Sequence, residues 1–193
     1  MSVLNVRFVH LEKRQSRYCM KIGIISDTHK KIKKAKAAIA LLIENGAEFI
    51  IHAGDIVEVE ILDMLEASPL KYLAVYGNND AHLVENHDKY QLVQEPYYFK
   101  LAGLKFKLMH LPFYMAPDAD VVIFGHTHHF ECEYKGNTLY LNSGEVCARK
   151  KPLSECAMLE VLDNKFIVSQ YTKPEGQRDF HTHVHTIKRE KND

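Results

Sequence analysis

The 193-residue chain has no excess of either charge: Lys+Arg and Asp+Glu are both 25, so the formal net charge is zero. Nothing in that balance demands a nucleic acid or a charged membrane as partner. There is no run of ~18 apolar residues, so no transmembrane helix is expected. The only apolar stretch near the start is interrupted by Asn5 and Arg7, so no secretory signal is expected, with a transit peptide as the alternative. The four cysteines, Cys19, Cys132, Cys147 and Cys156, form no C-x-x-C pair and no disulfide framework. They read as free thiols of a reducing compartment, which implies a cytoplasmic protein. Internal repeats and low-complexity tracts are also missing.

What is present is a core-forming composition, 46% apolar, at a length suited to one domain. Twelve histidines are many for this length and suit metal chemistry. The expected organisation is an N-terminal extension over 1–19, one domain over 20–172 and a polar C-terminal tail over 173–193. Lys21–Ser26, Phe49–Ala53 and Tyr72–Tyr76 are short apolar runs that read as buried strands. Ile32, Ala35, Ile39, Leu42 and Ile43 recur at helical spacing before Asn45-Gly46, and a second helix fits Val57–Glu66. This β-α-β-α-β order implies parallel strands with right-handed crossovers. After Glu95 three hairpin signals follow, at Ala102-Gly103, Lys135-Gly136-Asn137 and Asp163-Asn164-Lys165, so the second half is expected to be mostly antiparallel. The fold class is α/β, with two packed mixed sheets flanked by helices. In the tail, His181, His183 and His185 alternate, which puts them on one side of an extended chain.

Five polar motifs stand at the ends of apolar runs: Asp27-Thr28-His29, Gly54-Asp55, Gly77-Asn78-Asn79-Asp80, His110 and Gly125-His126-Thr127-His128. In open α/β sheets ligands bind outside the carboxyl ends of the strands. The motifs therefore gather carboxylates, imidazoles and amides along one edge, a donor set that two adjacent divalent ions explain. Asp27 and His29 lie two apart on one loop and can reach one ion. Asp55 follows a glycine that permits a tight turn, a suitable place for a carboxylate shared by both ions. Asn78 offers a neutral oxygen, and His126 and His128 are spaced to serve different ions. Helix capping explains Asp27 or Asp80 singly and leaves the histidines unexplained. His52, His82, His87 and His129 read as ordinary structural or surface residues.

These motifs resemble the calcineurin-like metallophosphoesterase superfamily, over about Met20 to Thr172, and in particular its small bacterial and archaeal phosphodiesterase branch, to which the retromer vacuolar-sorting subunit is also similar. The resemblance implies an αββα sandwich. It implies one metal on Asp27, His29, Asp55 and His128, and a second on Asp55, Asn78, His110 and His126. The metals are expected to be manganese, with iron, zinc, nickel or cobalt also acceptable. The implied activity is a phosphodiesterase in which hydroxide shared by two metals attacks phosphorus, with Asp55, Asn78 and His126 as catalytic residues. The partner is then a phosphoester, with no membrane, no strong nucleic-acid signal and homo-oligomerisation left open. A non-catalytic scaffold like the retromer subunit, or a phosphomonoesterase, are the competing functions.

The chain departs from the family at three places. Asn79 stands where many members have a histidine that assists the leaving group, and a neutral amide cannot deliver a proton. His110 is followed by Leu111-Pro112 where glycine is usual, and only ten residues lead to the next strand, too few for a crossover helix. Ser143 replaces proline in Asn142-Ser143-Gly144-Glu145, whose backbone is expected to shape the cleft. Asn79 and Arg149 are candidate substrate-binding residues. Lys30, Lys31, Lys33, Lys34 and Lys36 oppose the dipole of the helix they open, as a solvated face or as a basic rim.

Overall fold

The computed structural model describes residues 18–189. Its larger sheet is built on three parallel strands, β1 (Tyr18–Ile25), β2 (Phe49–His52) and β3 (Lys71–Val75), joined by α1 (Ile32–Glu44) and α2 (Val59–Glu66). A 3-10 helix, Ala81–Lys89, which no apolar periodicity marks in the sequence, leads to the short β4 (Leu92–Val93) beside β3. The smaller sheet holds β5 (Tyr97–Leu101), β6 (Leu104–Leu108), β7 (Val121–Phe124), β8 (Phe130–Lys135) and β9 (Thr138–Ser143), in the order β5-β6-β7-β9-β8. The chain then returns to the larger sheet as β10 (Leu153–Leu162), β11 (Lys165–Pro174) and β12 (His181–Lys188), with β10 antiparallel to β1.

The fold class is thus α/β with two packed mixed sheets. All three expected hairpins form. The second half is less antiparallel than expected, however, because β6, β7 and β9 run parallel. No described helix is long and apolar enough to cross a membrane.

Side chains alternate between two cores, as the period of a strand requires. Ile22 and Ile24 of β1 face the smaller sheet and meet Phe106, Leu108, Ile123 and Leu141. Ile25 faces the other way, toward Ala38 and Leu42 of α1 and Ile61 and Leu65 of α2. Gly23 shares that outer face. A Cβ there would lie 3.0 Å from Leu42 Cδ1 and 3.2 Å from Leu42 Cβ, so α1 sits as low on the sheet as a missing side chain permits. Gly23→Ala should lower stability by about 1–3 kcal/mol through overpacking, offset by ~0.5–1 kcal/mol of backbone entropy. Urea unfolding measures this; an unchanged midpoint would mean that α1 backs away freely.

On the outer face of the smaller sheet, residues 111–118 take the place of a crossover helix. Lys107, itself buried, anchors them. Its ammonium donates to the carbonyls of Tyr114 (2.9 Å) and Ala116 (3.0 Å) and pairs with Asp118.

The polar tail expected from residue 173 is corrected by the structure. β11 runs on to Pro174, and β12 pairs with it from Lys165↔Lys188 to Thr172↔His181. The polar composition is that of a one-sided edge strand. His185 stacks on Phe130 at 5.3 Å and Ile187 packs into the inter-sheet core, while Val184 on the other face is exposed. Of the extension expected over 1–19, residues 1–17 lie outside the described residues; Tyr18 and Cys19 begin β1.

Candidate metal centre

Four of the five motifs directly follow the carboxyl ends of parallel strands, β1, β2, β3 and β7. His110 follows β6, parallel to β7. The loops are stitched to one another by main-chain bonds. Asp27 N–H donates to Gly54 C=O (3.0 Å), His29 N–H to Asp55 C=O (3.0 Å), Gly125 N–H to His110 C=O (3.1 Å) and Cys147 N–H to Asp27 C=O (3.1 Å).

Within this frame five motif residues adopt left-handed backbone: Asp27 (φ 52°), His29 (43°), Asp55 (55°), His126 (66°) and His128 (63°). Such conformations cost of order 1–3 kcal/mol each and persist where the surroundings dictate them, most often at functional sites. Two glycines make the close approach possible. A Cβ on Gly54 would lie 2.6 Å from His110 Nδ1, and one on Gly77 would lie 2.2 Å from Asp55 N.

The side chains converge. His110, fully buried, has Nδ1 2.8 Å from Ala53 C=O, which can only accept, so Nδ1 carries a proton. Its Nε2 then faces Asn78 Oδ1 at 3.0 Å and Asp55 Oδ1 at 3.5 Å. His128 Nδ1 donates to Glu145 Oε2 at 2.5 Å, which turns Nε2 toward Asp27 Oδ1 at 3.2 Å. His29 Nε2 lies 3.7 Å from Asp55 Oδ2, and His126 Nδ1 lies 3.1 Å from Asn78 Oδ1. Asp27 Oδ2 accepts from Ser26 Oγ (2.6 Å) and His126 N–H (3.1 Å). Asp27 Oδ1 and His29 Nε2 are buried without a hydrogen-bond partner. Asp27, Asp55, His29, His110 and His128 are buried, while Asn78 and His126 are exposed and mark the open side.

Buried acceptor atoms facing one another with nothing between them are costly unless a cation takes the space. Ligand atoms of Asp27, Asp55 and His110 fall within 4.8 Å of one another, and so do those of His29, His128 and Cys147. Carboxylate, imidazole and amide donors suit divalent first-row metals. The residues present therefore fit the metals that the motifs imply.

Electrostatics follow the same geometry. Burial raises the pKa of Asp27. Burial also works to raise that of Asp55, but hydrogen bonds and charge from His110, with two bonds from Asn79, hold it well below the usual range. His110 is raised: burial opposes its charge, and Asp55 and Asp27 outweigh burial.

The remaining motif residues have plain positions. Asn79 donates from N–H to Asp55 Oδ1 (3.0 Å) and from Nδ2 to Asp55 Oδ2 (2.7 Å). Asp80 joins two loops by accepting from the N–H groups of Ile56, Val57 and Gly77. Arg149 is exposed, near enough for its charge to oppose protonation of His29. His52 is fully buried between Thr28 Oγ1 (2.9 Å) and Gly54 N–H (3.2 Å), and burial pushes its pKa down to about 3. His82 Nε2 is 2.7 Å from Val57 C=O, and His87 Nδ1 is 3.1 Å from Tyr76 Oη. Lys34 reaches Cys147 C=O and Glu175, so one lysine of the basic run has structural partners.

Two carboxylates that belong to none of the five motifs support the site. Glu95 Oε2 accepts from the N–H groups of His110 (2.5 Å) and Leu111 (2.8 Å), which fixes His110 despite the short segment that follows. Glu145 is fully buried behind His128. Burial raises its pKa, but bonds from His128, Cys147 and the main chain prevail and bring it to about 2. Its loop is legible in the sequence only as a turn; nothing local says which imidazole it meets.

The comparisons agree with this geometry. The chain is 31% identical to a phosphodiesterase of Methanocaldococcus jannaschii over 141 residues, 66% of this chain and 85% of that protein. It is 33% identical over 152 residues to a probable metallophosphoesterase of the same organism, covering 75% and 77%. A solved archaeal phosphodiesterase superposes with TM-score 0.63 at 28% identity, over 74% of this chain and 99% of that one. Vacuolar protein sorting 29 of Cryptosporidium parvum, at 16% identity, shares the fold with TM-score 0.71 over 90% and 100%. Residues 20–164 match the calcineurin-like phosphoesterase superfamily domain. With three quarters of its length inside that match and the motif residues gathered at one edge, the chain belongs to the calcineurin-like phosphoesterase superfamily.

Proposed function

We propose that the protein is a phosphodiesterase dependent on two divalent metal ions. The observation that carries this is the convergence of Asp27, His29, Asp55, Asn78, His110, His126 and His128 with buried, unpartnered acceptor atoms facing inward. Asp27, His29, Asp55 and His128 would hold one ion, and Asp55, Asn78, His110 and His126 the other, with manganese the expected metal. When bound, such a pair provides a nucleophile from water at neutral pH and neutralises charge on the phosphoryl oxygens.

The chain's own residues set the rest. Asp55, between the two groups of ligands, supplies the shared negative charge. His126, exposed at the open side, is placed to meet a phosphoryl oxygen of the substrate. Arg149 lies at the rim beside His29 and is placed for the non-reacting part of a phosphoester. The three described cysteines Cys132, Cys147 and Cys156 are free thiols, which supports the reading of a reducing compartment such as the cytoplasm. A scaffold role like that of the retromer subunit gives no reason for Asp27 Oδ1 and His29 Nε2 to be buried without partners.

Among the described residues, the position where many relatives carry a histidine for the leaving group supplies no proton donor. Asn79 is neutral and its amide is engaged with Asp55, and His52 is sealed beneath the site. Activated aryl phosphodiesters should therefore be hydrolysed far better than alkyl monoesters, by ~10²–10⁴-fold where protonation matters. Asn79→His should narrow that gap. The measurement is the dependence of rate on leaving-group pKa in both proteins, with metal content determined alongside. Efficient alkyl monoester turnover with a flat dependence in the wild type, or undiminished activity after the metals are stripped, would overturn the proposal.

A further inference from the structure

We infer that Glu145 is a positioning residue for the metal site: it locks His128 as the Nδ1–H tautomer and so presents the Nε2 lone pair toward Asp27. Its effect on metal binding rests on the two-metal proposal; its effect on the tautomer does not.

The carboxylate has a complete set of donors. Oε1 accepts from the N–H groups of Lys150 (2.8 Å) and Lys151 (3.1 Å). Oε2 accepts from Cys147 Sγ–H (3.1 Å) and from His128 Nδ1 (2.5 Å). Main-chain N–H groups cannot reverse their polarity, so Oε1 must remain an acceptor. A fully buried carboxylate needs every such bond. If His128 placed its lone pair on Nδ1, that lone pair would confront Oε2 at hydrogen-bond distance. The Nδ1–H form is the one that Glu145 accepts. The other ring nitrogen then points at Asp27 Oδ1, 3.2 Å away and without a hydrogen bond. His29 stacks on the same ring at 5.5 Å, which keeps its plane fixed. A carboxylate behind a ligating imidazole also makes the metal-facing nitrogen more basic.

Glu145→Gln tests this with almost no change of shape. Glutamine has one carbonyl oxygen, and Lys150 and Lys151 N–H both require it. The amide NH₂ must then face His128, whose Nδ1 has to accept. The tautomer should flip and put a hydrogen on Nε2, where a metal needs a lone pair. Nitrogen-15 histidine spectra of the metal-free protein, with His128 assigned by His128→Gln, report the tautomer directly. Titration with cobalt(II) reports affinity.

The expected result is Nδ1–H in the wild type, Nε2–H in the variant, and one of the two cobalt ions bound about 10–100-fold more weakly. An Nε2–H wild type, an unmoved tautomer in the variant, or a flip without loss of affinity would each overturn the inference. If the variant does not fold, the wild-type spectrum decides. If the wild type takes up no cobalt, the two-metal proposal fails by itself, and the spectra still decide the role of Glu145 in setting the tautomer.

Discussion

Asp55→Asn should leave the purified protein with little of its metal and cut diester turnover on the order of 10³-fold, the scale of losing a central electrostatic element. The substitution isolates charge. Asp55 has φ 55°, a conformation that asparagine tolerates. The turn after β2 should therefore survive. What changes is chemistry at two oxygens. One becomes an NH₂ and meets donors already in place, since Asn79 gives N–H to one oxygen and Nδ2–H to the other. The negative charge between His29 and His110 also disappears. Metal analysis after dialysis and turnover of an aryl diester read the two effects. Full loading with full activity would remove Asp55 from its proposed place between the ions.

His110→Ala should behave differently. Here one ion should be lost and the other kept, with turnover reduced by roughly 10²–10³-fold. The ring Nε2 faces Asn78 Oδ1 and Asp55 Oδ1, ligands of the second ion in the proposal. Stability should fall as well. Ala53 C=O loses the imidazole donor and keeps only Ser26 Oγ at 3.2 Å, a cost of up to about 1–3 kcal/mol for an under-satisfied buried acceptor, with a further contribution from the emptied ring volume. Metal content near one per chain and a lower melting temperature are expected. Wild-type turnover at limiting metal would show that His110 orders the loop without serving an ion.

Much of this fold was legible because its signals are local. The apolar runs ending at Ser26, Ala53 and Tyr76 became β1, β2 and β3, and the spacing from Ile32 to Ile43 became α1. The three hairpins followed from their turns. Pairings between distant segments carry no such mark. Nothing near Val121 says that β7 will lie between β6 and β9 and run parallel to both, so the second half looks more antiparallel than it is. β12 was hidden for another reason. Only His185 and Ile187 are half-buried, while His181, Thr182, His183 and Val184 are exposed, and so polar a strand does not announce a packed face. At the site, the motif residues could be listed along the chain because each closes a strand. Glu95 and Glu145 could not, since each acts on a histidine 15 or 17 residues away through bonds that exist only after folding.

Anyone shortening this protein meets a practical trap in β12. The superfamily match ends at residue 164, between β10 and β11, and composition suggests a cut near residue 172. The first cut would remove β11 and β12 and leave β10 unpaired on one side. The second would strip β12 and bare the long β11. Either way a row of main-chain N–H and C=O groups would be offered to the next molecule, the usual template for sheet-to-sheet aggregation. Insolubility of such a fragment would report an unprotected edge and would say nothing about the candidate site at the carboxyl ends of β1, β2 and β3. A useful truncation keeps residues through Lys188, where the last strand ends.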